Sequence, residues 1–315
     1  MDNYYIGFDT SAYTTSIAVI NDKREIIADL RKNLKVKKGN RGLRQQEAVF
    51  QHTLNIPELI DELTRIIDLN KVKAVAASVK PRNLEGSYMP VFRVGQGQAY
   101  ILSKVLKVAY KEFSHQEGHI ASGILKSKIN SIDRFLALHI SGGTTELLLV
   151  ENEERNLKIE IIGGTKDISA GQLIDRIGVD LNYPFPSGKY LDEISKNGKL
   201  IDAKLPISVY DTWINFSGPE TYFKKLIKSQ KYSSENLAKS LFYVVGYSLK
   251  KILKNALVKY DIKNVLIIGG VASNSYIRYM LKNKVEKNKI GHIYFPDSRY
   301  CTDNAVGIAY LSMIK

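Results

Sequence analysis

One stretch of the chain decides the fold: Phe135-Leu136-Ala137-Leu138-His139-Ile140-Ser141-Gly142-Gly143-Thr144-Thr145-Glu146-Leu147-Leu148-Leu149-Val150. Its two apolar arms predict a pair of strands, and the small, hydroxyl-rich turn at 141–145 predicts that they form a hairpin. The same layout occurs earlier, at 4–20, with a turn at 9–15. A hairpin that returns in this way predicts a duplicated domain with two lobes.

The turns of both hairpins suit an anionic ligand. Facing one another, they would present backbone N–H groups and hydroxyls to a phosphate chain held between the lobes. A further small-residue turn, Gly269-Gly270, follows the apolar strand 265–268 and precedes a helix that begins at Ser275. The sequence therefore favours a bound nucleotide, although the turn at 141–145 is also a favourable hairpin turn without a ligand.

Two histidines indicate a metal site. His115 and His119 are four residues apart, and Ser114 before them predicts an N-capped helix. Positions i and i+4 share one helix face, so both imidazoles can reach one cation. Asp303 offers a carboxylate, and we expect it in the first turn of a last helix that begins near Thr302. This donor set leaves coordination positions open, which suits a Lewis-acid metal; the alternative is ordinary polar surface.

Proteolysis is disfavoured by the residues between the histidines. Gluzincin helices place a glutamate directly after the first histidine. Here Gln116 has that place, and Glu117 lies one residue later, about 100° further around the helix.

Composition bounds the function further. The chain has 315 residues and a net charge of +14, which indicates either a polyanionic partner, most plausibly RNA, or a lysine-rich composition without functional meaning. The segment 31–44 has seven basic residues and no acidic one, which favours a loop that closes over a phosphate backbone. The single cysteine excludes an intramolecular disulfide and a thiolate zinc site. No apolar run could span a bilayer and no leader is evident, so we expect a cytoplasmic protein.

These motifs, in their order along nearly the whole chain, resemble the TsaD (YgjD/Gcp) family, which makes threonylcarbamoyladenosine in tRNA. The most specific segments are His115-x-Glu117-Gly118-His119, Ile140-Ser141-Gly142-Gly143-Thr144-Thr145, Asp167-x-x-x-Gly171-x-x-x-Asp175, Phe216-Ser217-Gly218, Gly269-Gly270-Val271-Ala272-x-Asn274 and Cys301-Thr302-Asp303-Asn304.

The resemblance implies a fold and a division of the chain. The family has the ASKHA fold of actin, hexokinase and Hsp70, an α/β fold of two duplicated ribonuclease-H-like lobes with mixed sheets and a ligand cleft between them. We expect an N-terminal lobe at 1–112 and a C-terminal lobe at 113–315, the latter with a helical insertion at about 165–232.

The resemblance also implies an activity, a cofactor and partners. A threonylcarbamoyl group would pass from threonylcarbamoyl-adenylate to an adenosine next to the anticodon of tRNA. His115, His119 and Asp303 would hold one divalent metal, iron or zinc. TsaB-like and TsaE-like subunits are the expected protein partners, and neither DNA nor a membrane is expected. The residues expected to bind the adenylate are Asp9, Ser11, Ser141, Gly142, Gly143, Thr144, Asp175, Gly188, Asp192 and Asn274.

Several departures from the family pattern lie in the expected site. Tyr13 and Thr14 replace two acidic residues of the first hairpin turn, Thr144 replaces a histidine, and Gln172 replaces a glutamate. A longer segment, 80–93, replaces a Gly-Pro-Gly-Leu turn. These changes leave two alternatives open: a divergent relative with another acceptor or acyl-adenylate, or a nucleotide-binding regulatory protein without turnover. Asp9 also keeps a sugar-kinase-like ATPase open.

Overall fold

The computed structural model describes residues 2–11, 13–36, 42–153 and 156–314. In these residues the first hairpin belongs to a five-stranded mixed sheet with the order β3-β2-β1-β4-β5. β1 is antiparallel to β2 and parallel to β4. The strands are β1 (Tyr4–Asp9), β2 (Thr14–Asn21), β3 (Ile26–Asn33), β4 (Val72–Lys80) and β5 (Ala109–Ser114).

The second hairpin lies in a seven-stranded sheet with the order β12-β11-β6-β7-β8-β10-β9. β6 is antiparallel to β7 and parallel to β11, which repeats the pairing of β1 with β2 and β4. The predicted duplication is therefore confirmed in strand topology. The strands are β6 (Arg134–Ile140), β7 (Thr145–Glu153), β8 (Asn156–Thr165), β9 (Val209–Tyr210), β10 (Trp213–Ile214), β11 (Asn264–Ile268) and β12 (His292–Tyr294).

The helices are α1 (Gln45–Ile66), α2 (Phe92–Leu106), α3 (His115–Leu125), α4 (Ala170–Asp180), α5 (Gly188–Ser195), α6 (Ser217–Ser229), α7 (Ser234–Lys259), α8 (Ser275–Leu281) and α9 (Val306–Ile314). The helical insertion expected at about 165–232 contains α4, α5 and α6 together with the short β9–β10 hairpin. No helix in the described part of the chain is long and apolar enough to cross a membrane.

α3 and α9 pack between the two sheets. One buried cluster joins Ile20 of the first sheet and Leu266 of the second through Ile120 on α3 and Ile308 on α9. A Cβ atom on Gly307 would lie 1.8 Å from the carbonyl oxygen of Gly118, so the two helices approach as closely as glycine allows. This packing fixes α3, which carries both histidines, relative to both sheets.

Two expectations about local structure are wrong. The last helix begins at Val306 rather than near Thr302, because the side chain of Asn304 accepts a hydrogen bond from the Val306 N–H (3.0 Å) and ends the preceding turn. The basic segment 31–44 is not one loop, because Arg31 and Lys32 belong to β3. Its residues 37–41 lie outside the described part of the chain.

Candidate metal centre and inter-lobe cleft

α3 begins directly at the end of β5 with a capping box. The Ser114 hydroxyl accepts from the Glu117 N–H (3.2 Å), and the Glu117 carboxylate accepts from the Ser114 N–H (2.8 Å). This cap fixes the first helical turn, so that His115 and His119 project on the same side. Their ring centroids are 4.3 Å apart.

The far end of the chain supplies the third side chain. Asp303 Oδ1 lies 3.3 Å from His119 Nε2 and 3.6 Å from His115 Nε2. One ligand atom from each residue lies within 4.8 Å of the other two. Bonds of roughly 2.1 Å to a tetrahedral ion separate neighbouring ligand atoms by roughly 3.4 Å, so these residues fit a divalent metal. Asp303 reaches the site from the turn before α9 rather than from the helix itself.

Asp9 orients the first histidine from behind. Its Oδ2 lies 3.2 Å from His115 Nδ1, while Nε2 faces Asp303. Asp9 is fully buried at the end of β1 and accepts hydrogen bonds from Ser11 (3.0 Å) and Ser78. A carboxylate on the remote ring nitrogen is the usual support of a metal-binding histidine. The structure thus brings Asp9 and Ser11 to the metal centre.

The pKa values of the two histidines and of Asp303 are shifted by burial and by the charges of one another. Burial lowers the pKa of His115, but the adjacent Asp9 and Asp303 carboxylates outweigh it and raise the pKa to about 10. Burial and the neighbouring His115 lower the pKa of His119. Although burial opposes it, hydrogen bonds from both histidines hold the pKa of Asp303 well below its usual range. A metal ion bound here would replace the His115 proton, because imidazole binds metal in its neutral form.

A third imidazole touches the pair. The ring of His139, on β6, lies 4.7 Å from that of His119, and both nitrogens of His139 are buried without a hydrogen-bond partner among the residues that the structure describes. His119 Nδ1 is likewise buried and without a partner. Burial lowers the pKa of His139 well below its usual range, so this ring is neutral.

An ion-pair network anchors the segment that carries Asp303. The buried Asp29 carboxylate on β3 binds Arg31 (2.7 Å) and Arg299 (3.1 Å). Arg31 also donates to the Arg299 carbonyl (2.7 Å) and to the Thr302 hydroxyl (3.1 Å). The first sheet therefore holds the turn that carries Asp303, the third candidate metal ligand. Arg31 therefore lies on β3 and links Asp29 to the turn that carries Asp303, whereas the sequence suggested a position in a loop.

The turn of the second hairpin lies against the start of α4. Ser141 Oγ accepts from the Thr144 N–H (3.1 Å), and the Gly142 carbonyl accepts from the hydroxyl of Ser169, the α4 N-cap (2.8 Å). A Cβ atom on Gly171 would lie 2.4 Å from the Ser141 carbonyl oxygen. Gly142 and Gly143 are exposed, so the turn presents backbone to the cleft beside a helix N-terminus.

Asp175 faces the cleft one helical turn further along α4. It accepts hydrogen bonds from the backbone N–H groups of Ser187 (2.8 Å) and Gly188. Burial outweighs these bonds and raises its pKa to about 6. From the first hairpin turn, Tyr13 packs edge-on against Phe185 (5.8 Å between ring centroids). Tyr13, in place of an acidic residue, thus contacts the second lobe.

Asp192 and Asn274 meet at the start of α8. Both carboxylate oxygens of Asp192 accept from Ser275, one from its N–H and one from its hydroxyl (2.9 Å each). Asn274 caps α8 by accepting from the Ile277 N–H (2.9 Å). The turn Gly270–Ser273 before them packs against β6. The expected adenylate residues of the second lobe therefore lie on the second hairpin turn, α4, α5 and the start of α8, which are joined in this order by hydrogen bonds.

Sequence reasoning missed one contact across the cleft. Arg82, in the segment after β4, forms an ion pair with Glu146 at the start of β7 (2.5 Å). Gln116, next to His115, donates to the other oxygen of the same carboxylate (2.7 Å). Glu146 is almost fully buried, and burial raises its pKa. Glu146 is an acidic residue in an apolar strand, which could have indicated a buried charge, but nothing in the neighbouring sequence indicated Arg82 as its partner.

Comparison with known proteins shows the family to which the chain belongs. The sequence profile of the tRNA N6-adenosine threonylcarbamoyltransferase family TsaD matches residues 25–310. The protein of that name from Caldicellulosiruptor saccharolyticus is 31% identical, over 98% of this chain and 93% of its own length. A probable bifunctional tRNA threonylcarbamoyladenosine biosynthesis protein from Methanocaldococcus jannaschii is 29% identical over 98% of this chain and 55% of its own length.

Solved structures show the fold. HypF from T. kodakarensis superposes with a TM-score of 0.64 at 15% identity, over 99% of this chain and 47% of that one. A ROK family glucokinase from Streptomyces griseus superposes with a TM-score of 0.55 at 10% identity, over 98% of both chains. The fold is therefore the ASKHA fold of two related α/β lobes. From the profile match and the full-length relatives, the chain belongs to the TsaD family and is an enzyme of tRNA threonylcarbamoyladenosine biosynthesis.

Proposed function

We propose that the chain transfers a threonylcarbamoyl group from threonylcarbamoyl-adenylate to N6 of an adenosine in tRNA, and that the transfer depends on one divalent metal. The observation that carries this proposal is the convergence of His115, His119 and Asp303 on one point, next to His139 on the first strand of the second hairpin. Iron and zinc both suit two imidazoles and a carboxylate.

The chain's own residues would divide the work by position. The exposed backbone of Gly142 and Gly143, at the N-terminal end of α4, suits the phosphate of the adenylate. Asp175 and Gly188 suit the nucleoside, with Asp175 accepting a hydrogen bond from a ribose hydroxyl. Ser11 would act through Asp9, to which its hydroxyl donates, and Thr144 would act from the second hairpin turn, where its N–H donates to Ser141. Asp192 and Asn274 would contribute to the nucleoside site indirectly, because both accept hydrogen bonds from backbone N–H groups at the start of α8 and so fix its position.

The bound metal would polarise the carbamoyl carbonyl as a Lewis acid. In the transfer, the adenosine N6 forms a bond to the carbonyl carbon, the bond to the phosphate oxygen breaks, AMP leaves, and N6 loses a proton. No covalent intermediate on the protein is needed, since AMP is a good leaving group. Tyr13 is unsuited as the base, because burial raises its pKa above an already high ordinary value.

A partner subunit on the first sheet also fits the surface. The outer faces of α1 and α2 expose apolar side chains, with Phe50 at 63% and Val105 at 72%. Leu54 and Ile101 lie on the same two helices and are 55% and 56% exposed. Exposed apolar groups of this density favour a protein contact. We propose that a TsaB-like subunit covers this face; a TsaE-like subunit is proposed from the family resemblance alone.

A second candidate function keeps the metal and the adenylate but changes the acceptor. The specific observation is Arg82, which lies over the cleft beside Glu146 where the family pattern has a glycine-rich turn. Tyr13 narrows the same cleft through its contact with Phe185. Both side chains would alter the space available to the acceptor.

The test is reconstitution with the two partner subunits, ATP, threonylcarbamoyl-adenylate supplied as the donor, and an unmodified ANN-decoding tRNA. We expect threonylcarbamoyladenosine by mass spectrometry of the digested tRNA, and its loss in His115→Ala and Asp303→Ala. His292→Ala, on the exposed side of β12, is the matched control and should retain activity. Undiminished product after metal removal would refute the metal dependence. Metal and adenylate bound without tRNA product would favour the second candidate.

A further inference from the structure

The face formed by α7 and α8 is more basic than the composition of the chain requires. From 236 to 285 the sequence has nine lysines and arginines and one acidic residue, Asp261. Asp261 follows the C-terminal end of α7, roughly 25 Å along the helix axis from Tyr243. The whole chain, in contrast, has 46 basic and 32 acidic residues. This local excess of positive charge separates the face from a uniformly lysine-rich surface.

A groove with aromatic walls lies in this face. It has a volume of about 400 Å³ between α7, α8 and the π-helical turn Lys282–Glu286. Its lining residues carry no negative charge and are Tyr243, Tyr276, Tyr279, Met280, Asn283, Lys284, Lys287 and Asn288. Glu286, the nearest acidic residue in sequence, turns away to accept a hydrogen bond from the Ile293 N–H (2.9 Å).

Further tyrosine and lysine side chains of α7 lie next to the rings that line the groove. Tyr243 stacks on Tyr247, with 5.6 Å between ring centroids and 21° between planes. The Lys239 ammonium lies 4.6 Å from the Tyr276 ring, and that of Lys251 lies 5.6 Å from the Tyr247 ring. Tyr279 is 69% exposed, so its ring is available to an additional planar group.

We propose that this groove binds an RNA segment with unpaired bases. Exposed rings accept a stacked base of any sequence, and interleaved ammonium groups neutralise the phosphates between bases. An acidic protein could pair with the lysines, but its binding would not account for the aromatic rings in the groove. One wall of the groove is α8, which begins at Ser275, the residue whose N–H donates to Asp192.

The inference deepens the proposed function, on which it rests in taking tRNA as the natural ligand. Its test is independent of turnover, because RNA binding is measured directly. Fluorescence anisotropy of the purified full chain would follow three labelled probes: the unmodified tRNA, a single-stranded RNA of about 12 nucleotides, and a blunt RNA duplex with the same number of phosphates. We expect the single strand to bind more tightly than the duplex.

The test variants separate charge from stacking. Lys284→Glu/Lys287→Glu should weaken binding of tRNA and of the single strand at least tenfold, and should reduce the slope of log Kd against log salt concentration by about two. The matched control is Lys104→Glu/Lys107→Glu at the end of α2, with the same spacing and the same charge change. Tyr279→Ala should weaken single-strand binding about tenfold, and Tyr279→Phe should restore it.

Three results would overturn the inference: equal loss of affinity in the control pair, wild-type affinity in the groove variants, or preference for the duplex. Circular dichroism of each variant shows whether the fold is retained. If the groove variants bind RNA weakly and the wild type makes no threonylcarbamoyladenosine, the groove stands and the proposed reaction fails. If the wild type makes the product and the groove variants bind tRNA normally, the proposed reaction stands and the groove inference fails.

Discussion

At the scale of single residues, the geometry of the candidate metal centre depends on Asp9, which is not one of the three expected ligands. Asp9 is held by Ser11 and Ser78 and in turn fixes the ring of His115. The neutral variant Asp9→Asn keeps the shape of the side chain but removes the charge that supports the imidazole. We expect it to weaken metal affinity about 10- to 100-fold, measured by competition with a chromophoric chelator.

The control for this prediction is Asp68→Asn, which alters an exposed carboxylate that caps the turn Leu69–Lys71. It should bind metal as the wild type does. Equal affinities for the wild type and Asp9→Asn would show that His115 needs no support from Asp9.

The raised pKa of Asp175 predicts a pH dependence of stability. Burial lifts this pKa from 3.8 to about 6, so the folded protein binds the proton more tightly than the unfolded chain does. Stability attributable to Asp175 is therefore fully present below about pH 4 and is lost as pH rises through about 6. Asp175→Asn should match the wild type at pH 4 and exceed it by about 1–3 kcal/mol at pH 8, by urea denaturation.

Asp167 gives the opposite sign and serves as the comparison. Although burial opposes it, hydrogen bonds from the Phe216 and Ser217 N–H groups lower its pKa. Its contribution is present at neutral pH and is lost as pH falls through the lowered pKa. Asp167→Asn should thus be less stable than the wild type at pH 8. The same pH slope for both variants would contradict the assignment.

The residues that could be predicted from the sequence share a local signal. The spacing of His115 and His119 places them on one helix face, and Ser114 predicts the helix start because serine is a favoured N-cap residue. Arg82 and Glu146 carry no such signal, because their contact exists only after both lobes have packed. His139 was placed correctly in a strand, but its position beside His119 depends on the register of β6 against α3. Pairing across the cleft is a property of the tertiary structure.

At the scale of elements, both hairpins were predictable because strand period and turn composition act within a few residues. The start of α9 could not be predicted from the sequence, since two neighbouring residues could each cap the helix. Asp303 and Asn304 are both residue types that favour helix N-termini. Asn304 accepts a hydrogen bond from the Val306 N–H, whereas Asp303 lies beside His119 in the candidate metal centre. The family resemblance named Asp303 as a ligand, but it did not show that a turn presents it.

The contact between α4 and the second hairpin turn predicts the effect of one methyl group. A Cβ atom on Gly171 would lie 2.4 Å from backbone of the turn at Ser141. Gly171→Ala should push the turn and the helix apart, cost about 1–3 kcal/mol in urea denaturation, and weaken binding of an adenine nucleotide by calorimetry. Gly218→Ala, also at the second residue of a helix, has no neighbour within 4 Å and should be neutral or stabilising by up to about 1 kcal/mol.

The outcome that would contradict this prediction is nucleotide affinity unchanged in Gly171→Ala despite lower stability. The turn would then be positioned by Ser169 and Thr144 alone.

At the scale of the whole molecule, the outer face of the first sheet predicts an assembly. Phe50 on α1 and Val105 on α2 are apolar and mostly exposed. Phe50→Asp/Val105→Asp should leave the monomer folded, because neither side chain belongs to the core, and should abolish co-elution with a TsaB-like subunit on gel filtration. Tyr210→Asp/Val258→Asp, at exposed apolar positions of the second lobe, should leave the complex intact.

The ion pair of Arg82 and Glu146 predicts how the two lobes are held together. Glu146 is almost fully buried and has two partners, Arg82 from the first lobe and Gln116 from α3. Removing the guanidinium leaves the carboxylate with only Gln116, and burial then raises its pKa further. Because the folded pKa lies above the unfolded one, the loss of stability grows as pH rises above about 5.

Arg82→Ala should therefore cost about 1–2 kcal/mol at pH 8, less than a fully buried pair because Arg82 is 39% exposed, and little at pH 4. Lys80→Ala is the control, since the Lys80 ammonium donates to Asn83 in the same segment (2.8 Å) rather than across the cleft. A double-mutant cycle with Glu146→Gln should recover most of the cost, because the glutamine amide needs no cation. If Arg82→Ala and Lys80→Ala lose equal stability at every pH, the pair does not join the lobes. If only Arg82→Ala also increases the radius of gyration in X-ray scattering, the cleft opens when this contact is removed.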